Sequence, residues 1–455
     1  LLPATAWAAG ETVPSNVTLA GTALESGKSY VATVDGITEK TGESVETNYL
    51  TYDNGTLTVF GTVEVSCGES AGLSFYSGTL TLAGDGDLTI AASGSNSAVS
   101  GNPYSTLTAV NFSGDLTLGS VNAPAVQNVV LNLTTGGDIL ISSAKNSAVN
   151  TPQNPVTLAG KTVTIKGTDE TTEASPANVS TVTAPKLNVT AGDGVTITGS
   201  GAIPLIADDS NNECAVTLNA GGDVKIVNKG GMAVYGPLTV ESAHNVTIGG
   251  GGESLLYSAN GVHRINASRT VKMESSGIVC SGTDANGLTI TGVETVDIAG
   301  ESTSAPVVTG MTLNECGTAT VTRLQYADTM APIAYTVTSD IPVLLRNGSN
   351  DIEPQLLWDG EYYQKAAVDD VYMEPSSEAA VYYEAGDGYV MFSKTSGGVE
   401  TGTANAVLLN ASSTAPIAGN LAEVKVIGEN SLDEIQSLDE VGTKVSFTGN
   451  GTLHT

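Results

Sequence analysis

Basic residues are scarce in this chain: 17 Lys and Arg stand against 48 Asp and Glu, a formal net charge of −31. Nucleic acid and anionic lipid surfaces need the opposite balance, so both partner classes are excluded. Self-repulsion at this charge favours a soluble chain and prefers cations to anions as partners. Only three histidines occur (His244, His263, His454), without ligand spacing between them, so no zinc site is expected. Four cysteines are too few for a disulfide scaffold. They are expected as free or buried thiols, with one disulfide as the alternative in an oxidising compartment. No stretch of about 18 consecutive apolar residues is present, so nothing in this chain spans a membrane as a helix. No segment of helical length sustains an apolar i, i+3, i+4, i+7 pattern, and neither a Gly-x-Ser-x-Gly elbow nor a P-loop occurs.

Glycine is plentiful, with 53 residues, and it punctuates a recurring phrase of alternating Leu, Val, Ile and Thr around a Gly/Asp turn. The phrase occupies residues 80–90 and returns at 131–141, 156–165, 187–197, 216–226, 238–248 and 288–298. Its last apolar positions run Val65, Ile90, Leu118, Ile141, Ile165, Ile197, Ile226, Ile248, Met273, Ile298 and Val321, a mean step of about 26 residues. A third apolar patch follows each pair of strands, as in Ala98-Val99, Ala125-Val126, Ala148-Val149, Leu205-Ile206 and Ala233-Val234. Three short strands and three corners per step make one coil of a parallel β-helix. The alternation turns Leu, Val and Ile into the coil and Thr outward, and Gly, Asn and Asp supply the corners. The expected fold is therefore all-β: a β-solenoid with three strands per coil, right-handed by the general preference of parallel crossovers.

Residues 1–9 look like the tail of a secretory signal, with a small-x-small site near Ala6-Trp7-Ala8. Residues 10–56 carry a weaker pattern and are expected to cap the solenoid, which fills 57–335. Residues 336–405 form an aromatic-rich β module or excursion, ten aromatics lying between Tyr326 and Phe392. From 406 to 455 the coil-like pattern resumes at Val424, Val426 and Val445, and the chain stops inside a strand.

Parallel β-helices often carry polysaccharide-cleaving sites. A polygalacturonase-like arrangement would need Asn-Thr-Asp, an Asp pair, Gly-His-Gly and Arg-Ile-Lys. Here only Asp208-Asp209 and the run Gly261-Val262-His263-Arg264 approach it, which makes Asp208, Asp209, His263 and Arg264 the catalytic candidates, set against solvated loop positions. Two acidic insertions break the period and could wall a groove: one holds Asp169, Glu170 and Glu173, the other Glu213. Trp358, Tyr362, Tyr363, Tyr382 and Tyr383 could offer rings to a sugar, or else form the core of a small module. The Gly/Asp turns do not recur every nine residues, so they are structural turns first. No cofactor is expected, and calcium is the one ion so acidic a chain invites.

With its Leu-Thr-Ile phrases at 80–90, 187–197 and 288–298, and the related runs at 424–432 and 445–453, the chain resembles the secreted or cell-surface β-helix proteins of bacteria. Many of these are described as adhesin-like or carbohydrate-binding. The resemblance implies a secreted, cell-surface protein whose partner is a polysaccharide or host glycan, and it supplies no site motif. Three functions follow as expectations: a non-catalytic adhesin or stalk, a polysaccharide lyase or glycoside hydrolase, and a structural spacer.

Overall fold

A computed structural model describes residues 12–33, 36–41, 46–168, 179–208, 213–252, 254–259, 261–282, 287–301 and 310–324, and separate strands over 333–454. For residues 282, 301, 310–312 and all those from 318 on, the backbone alone is described. The chain divides into two compact units, residues 1–201 with 206–214, and residues 202–205 with 215–455. In the regions whose side chains are described, every element is a strand. The two units carry between them about nine turns of a parallel β-solenoid of about 25 residues per coil, with three strands in each coil.

In the first unit each coil opens with a leading strand, such as Gly78–Gly84, turns into a middle strand, Asp87–Ala92, and closes with a short one, Val99–Ser100. Equivalent strands of successive coils pair in parallel. In the middle strands Val65, Ile90, Leu118, Ile141, Ile165 and Ile197 form one register line. In the leading strands the line is Leu80, Leu107, Leu131, Val156 and Leu187. In the short strands it is Leu73, Val99, Val126, Val149, Val182 and Ile206. All of these side chains are buried. The period-two pleat makes this unavoidable: one apolar residue facing in forces its neighbour out. Each coil thus hands its apolar row to the next, and the core is a stack of aliphatic layers.

The N-terminal residues close the first coil with antiparallel pairing. Strand Ser15–Leu19 runs antiparallel to Leu73–Tyr76, and Lys28–Thr33 pairs antiparallel with Gly36–Glu39 and with Tyr49–Asp53. These strands cover edges that would otherwise offer unpaired amides. Tyr49 stacks on Phe60 with ring centroids 4.6 Å apart, and the Lys40 ammonium sits 4.1 Å over the Tyr49 ring.

The second unit repeats the arrangement. Ile226, Ile248, Met273, Ile298 and Val321 align along its middle strands. Beyond the coils the pairing turns antiparallel, with Thr318–Leu324 against Ile333–Thr338 and Gly310–Asn314 against Val343–Arg346. Further on, Ala380–Ala385, Gly388–Lys394, Ala404–Leu409 and Ile417–Val426 succeed one another as antiparallel neighbours. Where the resumed coil is expected, Ile417–Val426 and Leu432–Ser437 also pair antiparallel, and Thr443–Thr448 runs parallel to Ile333–Thr338.

Candidate functional site

The turn between leading and middle strands is built by the Gly/Asp phrase. Asp87 accepts the backbone N–H of Asp115 at 2.9 Å, Asp115 accepts that of Asp138 at 2.7 Å, and Asp138 accepts that of Thr162 at 3.1 Å. Each carboxylate therefore holds the turn one coil further on, a capping role suited to Asp. The stacked turns approach so closely that a Cβ at Gly114 would strike the Gly86 carbonyl, and one at Gly137 the Asp115 carboxylate. Glycine is required there by space.

The next corner uses buried small polar residues. Ser120 donates to the Asn96 carbonyl at 2.7 Å and Ser143 to that of Ala123 at 2.9 Å, while in the second unit Asn228 donates to the carbonyls of Ile203 and Met232. In the first two coils Cys67 and Ala92 take this position. An open cleft of about 640 Å³ lies there, lined by Ser66, Cys67, Glu69, Ser93, Ala92 and Val121 among others. Burial pushes the Cys67 thiol up to about 11, so it stays protonated and is a poor nucleophile at neutral pH.

Of the catalytic candidates, His263 and Arg264 do not share a face. Strand alternation places His263 inside the second unit's coil and Arg264 outside, on opposite faces of His263–Asn266. Thr239 pairs with Arg264, so His263 stands in line with Leu238, and it pairs with Leu288 on the other side. It is a single histidine in an aliphatic row, 1% exposed. Its Nδ1 accepts the Leu238 N–H at 3.3 Å, and burial lowers its pKa to about 4. Nε2 of His263 and Oγ of Ser258 are buried with no hydrogen-bond partner among the described residues. A neutral imidazole inside the coil cannot touch a bound polymer. Asp208 lies in the first unit, half-buried, near enough to Cys214 to help hold that thiol up at about 12, behind the larger effect of burial. Glu213 is half-buried in the same unit. Asp209, Asp169, Glu170, Glu173 and Tyr362 lie outside the described residues. Trp358 pairs with Tyr363 across a short antiparallel ladder, and Tyr382 and Tyr383 lie in Ala380–Ala385. Among the described residues, no three His, Cys, Asp or Glu side chains come together as a metal site.

What the coils do assemble is outward rows. Along the leading strands of the first unit Thr81, Thr108, Asn132, Thr157 and Asn188 align. Along the short strands the row is Ser74, Ser100, Gln127, Asn150 and Thr183, every member half-exposed. In the second unit the corresponding outward positions include Tyr235 and Tyr257, whose rings stack at 5.3 Å and 18°. Two further rings are exposed where short strands of the first unit end: Tyr76, the last residue of Leu73–Tyr76, 54% exposed, and Tyr104, at the corner beyond Val99–Ser100, 81% exposed. None of these four tyrosines is conspicuous in the sequence. The usable signal is the coil step: Tyr76 and Tyr104 precede Ser77 and Ser105, which are 28 residues apart and joined by a hydrogen bond.

No protein-family model, curated protein or solved structure matches the chain. No helix among the described residues is long and apolar enough to cross a membrane.

Proposed function

We propose that the protein is a non-catalytic, extracellular β-solenoid of a bacterial cell envelope, acting as an adhesive surface or stalk that binds glycan weakly and repeatedly. The observation that carries this is the in-register outward rows of hydroxyl and amide side chains in the first unit, with the exposed Tyr76 and Tyr104 beside them. Sugars are recognised by such chemistry: a ring face covers the apolar C–H surface, and planar amides and hydroxyls exchange hydrogen bonds with the sugar hydroxyls. Repetition along the coils multiplies contacts that are weak one by one.

Retention of the purified chain on immobilised polysaccharides, paired with an assay for new reducing ends or unsaturated products, tests this reading. Retention without products is the expected outcome, and it should be the same with calcium and with chelator. Product formation would overturn the non-catalytic part, and no retention on any polysaccharide or host glycan would overturn the glycan part.

A further inference from the structure

We infer that the outward face of the short-strand sheet in the first unit is the binding surface, and that it takes an uncharged polysaccharide chain laid across successive coils. This rests on the glycan-binding reading above and names its ligand class and its place.

Three observations converge on that face. The row Ser74, Ser100, Gln127, Asn150 and Thr183 advances by one side chain per coil, at the strand spacing of about 4.8 Å. That rise is comparable with the length of one sugar residue in an extended chain, so a polymer can meet one polar group per residue. The N-terminal strand prolongs the row, with Thr18 paired to Ser74 and their hydroxyl oxygens 2.7 Å apart.

The second observation is the pair of rings at one edge. Tyr76 and Tyr104 sit on adjacent coils, and the loop bearing Tyr104 is firmly held. Ser105 Oγ accepts the backbone N–H groups of Ser77 and Asn102, both at 3.1 Å, and lies 3.2 Å from the Phe75 carbonyl. Asn102 Oδ1 in turn accepts the Tyr104 N–H at 2.9 Å. A ring so exposed on so fixed a loop pays little entropy on binding.

The third is charge. The chain carries −31, yet the row and its two rings include no Asp, Glu, Lys, Arg or His. Among the described residues, the row and its two rings therefore offer no cation to a polyanion and no carboxylate to a polycation. Two rings set among hydroxyls and amides also lack the contiguous apolar centre of a protein interface. An uncharged, hydroxyl-rich polymer is what remains.

The experiment is affinity electrophoresis of the full chain in gels containing a β-glucan, a xylan or a galactomannan, with polygalacturonate and alginate as anionic probes. The wild-type chain is expected to be retarded by at least one uncharged polymer, with little change on added salt, and not by the anionic ones. Tyr76→Ala with Tyr104→Ala should weaken retardation by roughly tenfold, the size of one or two lost ring contacts. Tyr235→Ala should leave it unchanged. Circular dichroism confirms that both variants fold, as substitution of surface rings should allow. If retardation survives in the double variant but falls in Tyr235→Ala, the placement is wrong while glycan binding stands. If the anionic polymers retard the chain instead, the ligand class is wrong. If no polysaccharide retards the wild type, the underlying reading fails with it.

Discussion

The carboxylate of Asp115 accepts the backbone N–H of Asp138, one coil on, at 2.7 Å, while its own N–H is held by Asp87. The Gly/Asp phrase thus works as a chain of caps, in which every acid stabilises its successor's turn. Asp115→Ala should lower stability by about 1 kcal/mol, the net worth of a hydrogen bond to a charged acceptor on the surface. Asp115→Asn, which keeps an acceptor oxygen, should recover most of it. Urea midpoints of the two variants check this, and equal loss in both would mean that the hydrogen bond is not the cause.

The interior rows predict steep costs for truncation. Ile141 is fully buried between Leu118 and Ile165. Ile141→Ala should cost about 2–5 kcal/mol, because stacked coils on both sides hinder collapse into the cavity. Thr117→Ala, in the adjacent outward row, should stay within about 0.5 kcal/mol. Paired denaturation curves give the contrast directly.

His263 makes stability depend on acid. Its folded pKa, about 4, lies below the ordinary value of 6.5. The unfolded chain therefore takes up the proton first. Stability attributable to this residue is level above the unfolded value and falls as pH drops from about 6.5 to about 4, by about 3 kcal/mol in all. His263→Leu matches the neighbouring Leu238 and Leu288 and should remove that fall, at the cost near neutrality of the bond from the Leu238 N–H. Melting temperatures between pH 7 and pH 4 report it. Identical slopes in variant and wild type would sink the assignment.

All four cysteines are buried. Burial raises each thiol, to about 11 for Cys67 and about 12 for Cys214 and Cys280, with Cys316 moved the same way. A chromogenic disulfide reagent at pH 8 should find almost no reactive thiol in the folded chain and all four after denaturation. Rapid reaction of one thiol in the folded state would point to opening of the coil around it.

Much of the solenoid was legible from residue order alone. The apolar positions from Val65 to Ile197, and from Ile226 to Val321, pair step for step as their spacing implies. Strand alternation is a strong local signal, and a repeated one cannot slip register without exposing every Leu and Ile. Val182 escaped notice because it follows a long acidic insertion, yet it takes its place between Val149 and Ile206. The proposed binding face was not legible. Tyr76 and Tyr104 are isolated in sequence and fall on adjacent coils only because the coils stack, whereas contiguous pairs such as Tyr382-Tyr383 stand out in the sequence. His263 and Arg264, adjacent in sequence, are turned apart because consecutive strand residues face opposite ways.

The unequal corners have a consequence for how such a molecule can change. Between register partners the step is 23 residues from Leu116 to Ile139 and 32 from Val163 to Val195, yet both coils continue the same three sheets. Growth at a corner leaves the ladder untouched, and removal of a whole coil would bring two equivalent rows together without altering either. Loss of one residue within a strand would instead invert that strand, driving threonines inward and leucines to the surface. The molecule is thus tolerant of large edits and intolerant of the smallest ones, and its reach can be lengthened or shortened in whole-coil units while the character of each face is kept.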